Sequence, residues 1–563
     1  DVARGTELLR RYKDGKRALE ARIIADEQWY RLRHWQYLRD RRREQGADVV
    51  EPTSAWLFNA IVSKHADAMD SFPEAVILPR SEQDEPDAKA LSAIVPAVLE
   101  KTHFEQVWSD AWWYKLKHGC AAYGVFWDSA GSNGLGDVAV RQLDLLNLFW
   151  EPGVTDIQDS ANFFSTELVS HEVLEEQYPQ LKGKLGGGGF TVSRFLYDDQ
   201  VDTSDKALVV DWYYHTREKG RRVLQYCKFV GETVLYATEN DPELRERGWY
   251  DHGKYPFVFD VLFPEEGTPC GYGYVDLCKS PQKQIDLMNQ AILKNTLAAA
   301  TPRFFIRSDG AVNENEYADW TRPFVHTNGN LGADSIAPIH TAGLDSVYVA
   351  IMQSKIAEMK ETAGNRDVAN GGTASGVTAA TAIAALQEAG GKLSRNMIDD
   401  GYEAFSDVVT LVIELIRQFY QLPRQFRLLG AMGREEFVSY DGQGLREQVM
   451  DDGTGVCYRV PEFDLEVSAQ DENPYKTMEY NQLALQLFQM GFFREDMADQ
   501  ALRCLELMDF KNKDQLTAAI LQGKQQAAMA QTAEGAASGG GTAVKQTAME
   551  RMRQQTHEAV RPR

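Results

Sequence analysis

The chain has 563 residues, 43% hydrophobic and 25% charged, which is the composition of a globular protein of roughly three or four domains. Its 83 acidic and 60 basic side chains give a formal net charge of −23, which argues against a surface that grips nucleic acid through phosphate contacts. This charge does not exclude a protein that handles DNA without gripping it. The densest apolar run, Val408–Ile416, contains Glu414 and is too short to cross a membrane.

The N-terminal segment, residues 1–46, is predicted to be helical and is rich in arginine and aromatic residues. Its first 44 residues hold 13 Lys or Arg and 8 Asp or Glu. A basic, aromatic stretch of this kind can bind nucleic acid or a protein partner. Acidic residues four positions after basic ones, as in Lys16–Glu20 and Arg22–Asp26, favour instead a solvated helix face. Both interpretations stay open.

After this segment the pattern changes from helical to strand-like. A second helix is predicted from a cap at Thr53 or Ser54 to Ala68, and a third over Ala88–Lys117. The tryptophans of the third helix are interpreted as core residues. Period-two alternation then predicts strands at Gly124–Asp128, Val138–Trp150, Leu208–Thr216, Val223–Val230 and Thr233–Thr238.

The middle of the chain has the most specific pattern, which begins with two helices. The first is predicted to start at Ser280-Pro281, because proline is favoured in the first helical turn, and to end before Pro302. The second is predicted over Leu344–Thr362. Its apolar residues form a narrow stripe, which is typical of helices that pack against copies of themselves.

An insert separates these two helices, and a glycine-rich segment follows them. The insert, Arg303–Gly343, has strand-like pieces at Arg303–Arg307 and Phe324–Thr327. The segment Gly364–Thr378 is too rich in glycine for a helix or a sheet, and a long helix with a kink at Gly390-Gly391 is predicted to follow as far as Gln421. The remaining predicted elements are strands at Phe426–Tyr440 and Val456–Val467, helices over Pro474–Gln522 and a weakly ordered tail from Gly523.

The sequence shows no pattern that is typical of an enzyme or of a metal site. The six cysteines have no CxxC spacing and the ten histidines form no HExxH motif. The four glycines at 186–189 lack the following Lys-Ser/Thr of a phosphate loop and are interpreted as a turn. No catalytic, cofactor-binding or metal-binding residue is therefore predicted, and the protein is not expected to be an enzyme.

Several segments in a fixed order carry a resemblance to a known family. They are Leu143–Pro152, Tyr255–Asp260 with Gly271–Leu277, Pro281–Gln290, the glycine segment with Val377–Gly390, and Phe463–Phe493. In this order, between Asp48 and Gln522, the chain resembles the portal proteins of tailed bacteriophages, most closely those of short-tailed phages.

The resemblance implies an α+β, mainly helical portal fold with wing, stem, clip and crown regions. Identical subunits, usually twelve, would form a ring around a channel for double-stranded DNA. The implied divisions are N-terminal helices and a β-rich wing at 1–278, stem helix 1 at 279–300, clip at 301–343, stem helix 2 at 344–363, tunnel loop at 364–378, a long kinked wing helix with wing strands at 379–470, a helical crown at 471–522 and an Ala/Gln/Gly-rich tail at 523–563.

The resemblance also implies where the protein acts and what it binds. The ring would be assembled in the host cytoplasm and occupy one capsid vertex of the virion, away from any membrane. Its partners would be further copies of itself, the DNA, the terminase packaging motor, the tail adaptor and the major capsid or scaffolding protein, with no cofactor.

Candidate residues follow for the channel and for docking. The tunnel-loop candidates are Asn365, Arg366, Asp367, Asn370, Gly371, Gly372, Thr373, Ser375 and Gly376. The stem candidates, which line the channel, bridge neighbouring subunits or pair within their own helix, are Lys283, Lys294, Lys355, Lys360, Glu358 and Glu361. The clip docking candidates are Tyr317, Trp320 and Phe324. With Asp286 and Asp345 included, the stem charges cancel, which suits DNA that slides without adhesion.

Two other classes of protein stay open. A different head–tail connector, such as a tail adaptor ring, would share the partners, but adaptors are generally shorter and lack the helix–insert–helix–loop order. A DNA-handling enzyme would need a phosphate loop with an acidic magnesium ligand after a strand, and neither is found. For the glycine segment, a plain connector between helices is the alternative to a tunnel loop.

Overall fold

The structure is a computed structural model, and the chain divides into two units, residues 1–470 and 471–563. The residues that it describes are 2–38, 50–185, 191–192, 204–218, 220–300, 303–306, 313–319, 321, 323–324, 326, 336–339, 346–364, 392–429, 435–451, 456–469, 502, 517 and 520–521. All helices and strands that follow lie in the first unit. They form a mixed α+β fold, as predicted.

The described helices occur along the whole first unit. They are α1 (Val2–Tyr30), α2 (Trp35–Leu38), α3 (Trp56–Met69), α4 (Glu85–Lys101), α5 (Phe104–His118), α6 (Gly131–Gly134), α7 (His171–Gln177), α8 (Pro242–Arg247), α9 (Tyr274–Ala300), α10 (Glu314–Ala318), α11 (Ser346–Ala363) and α12 (Lys392–Phe419). The single helix predicted over Ala88–Lys117 is in fact α4 and α5, because His103 between them has a left-handed φ of 53°. Among the described residues, no helix has both the length and the apolar character needed to cross a bilayer.

The described strands form small antiparallel sheets. They are β1 (Pro73–Pro79), β2 (Cys120–Asp128), β3 (Asp137–Leu143), β4 (Leu148–Trp150), β5 (Asn162–Ser170), β6 (Lys206–Glu218), β7 (Arg221–Val230), β8 (Thr233–Ala237), β9 (Phe257–Val261), β10 (Arg303–Ile306), β11 (Ile336–Ile339), β12 (Arg424–Leu429), β13 (Glu435–Tyr440), β14 (Gln448–Asp451), β15 (Val456–Arg459) and β16 (Phe463–Ala469). The orders are β4-β5-β6-β7-β8, β3-β2-β9 and the two-stranded pairs β1-β16, β10-β11, β12-β13 and β14-β15.

The two hairpins that the sequence predicts are both present in the structure. The predicted β2–β3 hairpin is confirmed, with Val125 opposite Val140. The β7–β8 hairpin is also confirmed, and Gly231 in its two-residue turn has a φ of 57° that favours glycine. Strands β1 and β5 were not predicted. The pairing of β1 with β16 joins residues as far apart as Pro73 and Ala469.

The main core lies where α5 and α12 meet the three-stranded sheet. Trp108 and Trp112 of α5 are fully buried, which confirms their interpretation as core residues. The dense apolar run in the sequence is the middle of α12, where Val408, Val412 and Ile416 are fully buried. α12 packs against β9 and β16, so this apolar helix is covered by protein on several sides.

The polar residues of α1 correct the interpretation of a solvated helix face. Lys16, Glu20 and Asp26 are buried. The Lys16 ammonium donates to the carbonyl oxygens of Leu145 and Leu148, which satisfies a charge that is otherwise costly to bury. Burial lowers the pKa of Lys16 to about 8. The α1 face that carries these residues therefore packs on the body of the protein.

Candidate functional site

The candidate site is a pair of long helices around the insert at residues 301–345. α9 has 27 residues and α11 has 18, so they are about 40 Å and 27 Å long at 1.5 Å per residue. β10 follows α9 and pairs antiparallel with β11, with Arg303 opposite Ile339. The chain therefore runs out along α9 and returns along α11, which packs against α9.

The start of α9 differs from the prediction. The helix begins at Tyr274, so Pro281 lies in its interior rather than in its first turn. Proline removes one backbone hydrogen bond from a helix, but Tyr274, Val275 and Cys278 are buried and hold the preceding turns in place. The end of α9 at Ala300 agrees with the predicted stop before the next proline.

The first half of α9 is anchored to the N-terminal part of the chain by a buried polar network. Asp286 is fully buried and accepts from the Nδ1 of His34 at 2.5 Å and from the hydroxyl of Ser54 at 2.9 Å. The Nε2 of His34 faces the carbonyl oxygen of Trp29 at 3.0 Å, so both ring nitrogens face acceptors. Gln282 donates to Asp286 at 3.0 Å and to the carbonyl oxygen of Ser54 at 2.8 Å. Each polar group of the network thus has a partner, as a buried site requires.

A second buried contact joins α9 to α1. The Lys279 ammonium lies 2.7 Å from Asp26 and 3.4 Å from Asp276. Burial raises the pKa of Asp26 to about 7, and the carboxylate of Asp276 raises it as well, whereas Lys279 lowers it. The two contacts together fix the first half of α9 to the protein body.

The lysines and glutamates predicted on these helices lie in different environments. Lys283 and Lys294 are exposed on α9. Lys355 pairs with Glu358 of the same helix at 2.6 Å, which is the contact between residues one turn apart. The Lys360 ammonium lies 5.7 Å from the ring centre of Trp56.

The burial of Asp286 corrects the charge balance predicted for the two helices. Because Asp286 is enclosed in the network with His34, it does not contribute a surface charge. Between residues 281 and 363, the described surface charges of the helix pair are four lysines and two glutamates, a net of +2. Asp345, which the predicted balance also included, lies outside the described residues.

The insert presents aromatic side chains to solvent. Tyr317 of α10 is 39% exposed and Phe324 is 76% exposed, while Phe305 on β10 is 66% exposed. Trp320, the third predicted docking residue, lies outside the described residues. The second strand predicted in the insert, at Phe324–Thr327, is wrong for the residues that the structure describes there, because Phe324 and His326 lie in no strand. β10 pairs instead with Ile336–Ile339, whose Ile-Ala-Pro-Ile sequence carries little strand periodicity.

The glycine-rich segment falls almost wholly outside the described residues. Gly364 ends α11 with a φ of 68°, the left-handed conformation that commonly closes a helix. The nine predicted tunnel-loop residues, from Asn365 to Gly376, and the predicted kink at Gly390-Gly391 lie beyond the described part. Their roles stay predictions.

The histidine, cysteine and acidic side chains of the described residues bear on metal-binding and thiol chemistry. In the described part of the chain, no group of three or more His, Cys, Asp or Glu side chains is placed to hold a metal ion. Cys120, Cys227, Cys270 and Cys278 are buried as free thiols. Burial raises the pKa of Cys278 to about 12, which keeps this thiol protonated at neutral pH.

Sequence reasoning did not find the residues that position α9. His34, Ser54 and Asp26 lie more than 200 residues from their partners on α9. A single sequence contains no signal for such long-range polar contacts. The sequence predicts only the amphipathic pattern of α9 itself.

The described structure is a mixed α+β body that carries a long helix pair around an exposed insert. The sequence pattern of one family, the Phage P22-like portal proteins, matches residues 25–561. The chain therefore belongs to this family of phage portal proteins, which are structural components of the virion, and the resemblance predicted from sequence is confirmed. A search of curated proteins gave no match.

Proposed function

We propose that this protein forms the ring at one vertex of a phage capsid through which double-stranded DNA is packaged and later ejected. The observation that carries the proposal is the family match over nearly the whole chain. The helix pair α9–α11, with its first half anchored in the body and its far end leading to an exposed insert, supports it. In this proposal 279–300 and 344–363 are the stem helices and 301–343 is the clip.

The charge of the proposed channel wall decides how strongly it would hold DNA. Double-stranded DNA carries one charge per about 1.7 Å, so a channel about 30 Å long encloses about 18 phosphates. The helix pair has a net surface charge of +2 per chain, and two of its four lysines already have partners in Glu358 and Trp56. The rest of the chain is strongly acidic, since the net charge is −23. In a ring of twelve, the number that the resemblance implies, the two remaining lysines of each chain amount to about 24 cations, which exceeds the about 18 phosphates. Free sliding of DNA therefore requires that these lysines face neighbouring copies or are neutralised by the acidic remainder of the chain.

The exposed insert is the proposed docking site for the packaging motor and then the tail adaptor. Tyr317 and Phe324 are large apolar side chains that remain accessible in the single chain. Aromatic anchors of this kind dominate the energy of many protein interfaces. Replacing both by alanine should weaken motor or adaptor binding while the ring persists, and normal docking by that variant would contradict this role.

Residues 364–378 are the proposed tunnel loop. Gly371, Gly372 and Gly376 allow the backbone to rearrange, as contact with a moving helix requires. Deleting residues 368–375 should leave ring assembly intact and impair packaging or retention of DNA. If the deletion instead prevents rings from forming, the segment has a structural role.

The ring itself is tested by electron microscopy of the purified full-length chain. The proposal expects closed rings with an axial channel, made of copies of a 63.4 kDa chain. Compact monomers at all concentrations would contradict it. ATPase activity that purifies with the rings would instead favour an enzyme.

A further inference from the structure

Helix α1 is attached to the rest of the chain at two ends of different chemistry. Near its N-terminus, Leu9 and Tyr12 are buried in an apolar cluster that includes Trp212 of the five-stranded sheet. Gly5 lies so close to this tryptophan that a Cβ would approach its ring to 2.9 Å. The C-terminal end of α1 instead meets α9 through charged side chains. α1 therefore links the five-stranded sheet to α9, by an apolar contact at one end and a charged contact at the other.

The charged end is a cluster in which one ammonium serves two carboxylates. The Lys279 ammonium of α9 lies 2.7 Å from Asp26 of α1 and 3.4 Å from Asp276 of its own helix. Arg22, one turn before Asp26 on α1, lies 3.8 Å from Asp276 and 2.9 Å from Glu265. With every group ionised, these side chains carry three negative and two positive charges. The cluster becomes neutral when one carboxyl keeps its proton.

Asp26 is the carboxyl placed to keep that proton. It is fully buried, whereas the side chains of Asp276 and Glu265 are 21% and 48% exposed. Its Oδ1 accepts from Lys279, while its Oδ2 is buried and has no hydrogen-bond partner among the described residues. Ionisation of a carboxyl in this position is costly, because the oxygen has lost its water and gained no donor. Burial, with the neighbouring carboxylate of Asp276, accordingly raises the pKa of Asp26 to about 7, although Lys279 and Arg22 lower it.

The other titratable groups around this end of α1 do not change charge in the same pH range. Glu27, the next residue of α1, lies 2.6 Å from the ammonium of Lys117 and 3.6 Å from the ring of His118, both on α5. Burial lowers the pKa of His118, which keeps its ring neutral at pH 7. Burial raises the pKa of Tyr37 on α2, which keeps the phenol protonated. Asp26 is thus the group of this contact that titrates near neutral pH.

We propose that the contact between α1 and α9 is a proton-dependent joint, which opens more readily as the pH rises towards neutrality while the sheet end of α1 stays attached. In the open joint the Asp26 carboxyl is hydrated and titrates at its ordinary pKa of 3.8. Between that value and about 7, closing the joint takes up one proton, so each pH unit favours the open joint about tenfold. Above about 7 the carboxyl is ionised in both states, and the effect levels off. The joint belongs to the single chain and does not depend on the proposed ring.

Hydrogen–deuterium exchange of the full-length chain, corrected for the intrinsic exchange rate at each pH, measures this opening. Opening of peptides over residues 20–30 and 274–282 should increase about 80-fold from pH 5 to pH 8 and then stay level. Peptides over residues 5–14 should remain more protected than these at every pH, because the apolar end does not open with the joint. Ordinary carboxyls are already ionised at pH 5, so their titration adds little over this range.

Two variants and a matched control separate Asp26 from other causes. Asp26→Asn keeps the shape of the protonated carboxyl but cannot ionise, so its opening should change by less than about twofold over the same range. Asp276→Asn removes the carboxylate that helps to raise the pKa of Asp26, so the increase should level off at a lower pH. The control is Asp14→Asn, an exposed aspartate of α1 that lies 2.8 Å from Arg17, and it should behave as the wild type does.

Three results would overturn the inference. They are opening of the wild type that does not depend on pH, an undiminished increase in Asp26→Asn, and equal protection of residues 5–14 and 20–30 at pH 8. The last result would mean that α1 detaches as a whole rather than at its α9 end. A chain that forms no ring would remove the proposed function and leave this joint in place.

Discussion

The buried network around Asp286 makes the sharpest prediction about the anchoring of α9. Replacing Asp286 by alanine removes the acceptor of four donors on three residues: the His34 ring at 2.5 Å, the Ser54 hydroxyl and amide at 2.9 and 3.1 Å, and the Gln282 amide at 3.0 Å. Removing one partner of a buried charged pair typically costs about 3–5 kcal/mol. The first half of α9 should therefore open about 150- to 5,000-fold more often.

Hydrogen–deuterium exchange of peptides from α9 measures this opening directly, because exchange in the native state reports local as well as global opening. The Asp286→Ala variant should exchange faster over residues 274–290. Asp286→Asn should lose less, about 1 kcal/mol, since its amide oxygen still accepts from Ser54 and Gln282. Gln284→Ala on the exposed side of the same helix is the control, with an expected change within about 0.5 kcal/mol. Unchanged exchange in Asp286→Ala would refute the view that this network holds α9.

Three further predictions concern the protein body. The pKa of Asp26, raised by burial to about 7 from 3.8, means that the folded chain holds a proton that the unfolded chain releases, so this group's contribution to stability is lost as pH rises from about 4 to 7. Urea denaturation should show that Asp26→Asn removes on the order of 4 kcal/mol of this pH dependence, and an unaltered pH profile would contradict it. Gly119→Ala should cost more than about 4 kcal/mol in the same assay, because φ is 84° there and a Cβ would collide with the backbone of Tyr272; near-wild-type stability would contradict this. Trp108→Ala should lower the free energy of unfolding by about 3–5 kcal/mol through the cavity that it leaves in the core, and a loss under 1 kcal/mol would show that the site can collapse.

The central helices could be predicted because their signals are local. The apolar spacing of α11 and the stop before Pro302 depend only on nearby residues, and α11 lies within two residues of its predicted bounds. The predicted start of α9 was wrong because tertiary packing decides whether a helix continues through a proline. Here the buried Tyr274 and Cys278 outweigh the local preference.

The number of charged residues in the candidate site could be predicted from the sequence, but not which of them are buried and which are exposed. Asp286 and Lys283 lie three residues apart, yet one is fully buried against His34 and the other is exposed. Their difference follows from which side of α9 faces the body, and that depends on segments more than 200 residues away. The same reason explains why Lys16 was assigned to a solvated face and is in fact buried.

The pairing of β1 with β16 has a consequence for biosynthesis. Pro73 emerges from the ribosome 396 residues before its partner Ala469, so at 5–20 residues per second β1 waits about 20–80 s for the strand that completes it. During that time Val76 and Leu78 belong to a strand with two open edges, which is the usual starting point of aggregation. Prolines at both ends of β1, Pro73 and Pro79, cannot donate to another strand and so limit wrong pairing. The sheet that contains β1 is thus completed only after residue 469 has been synthesised.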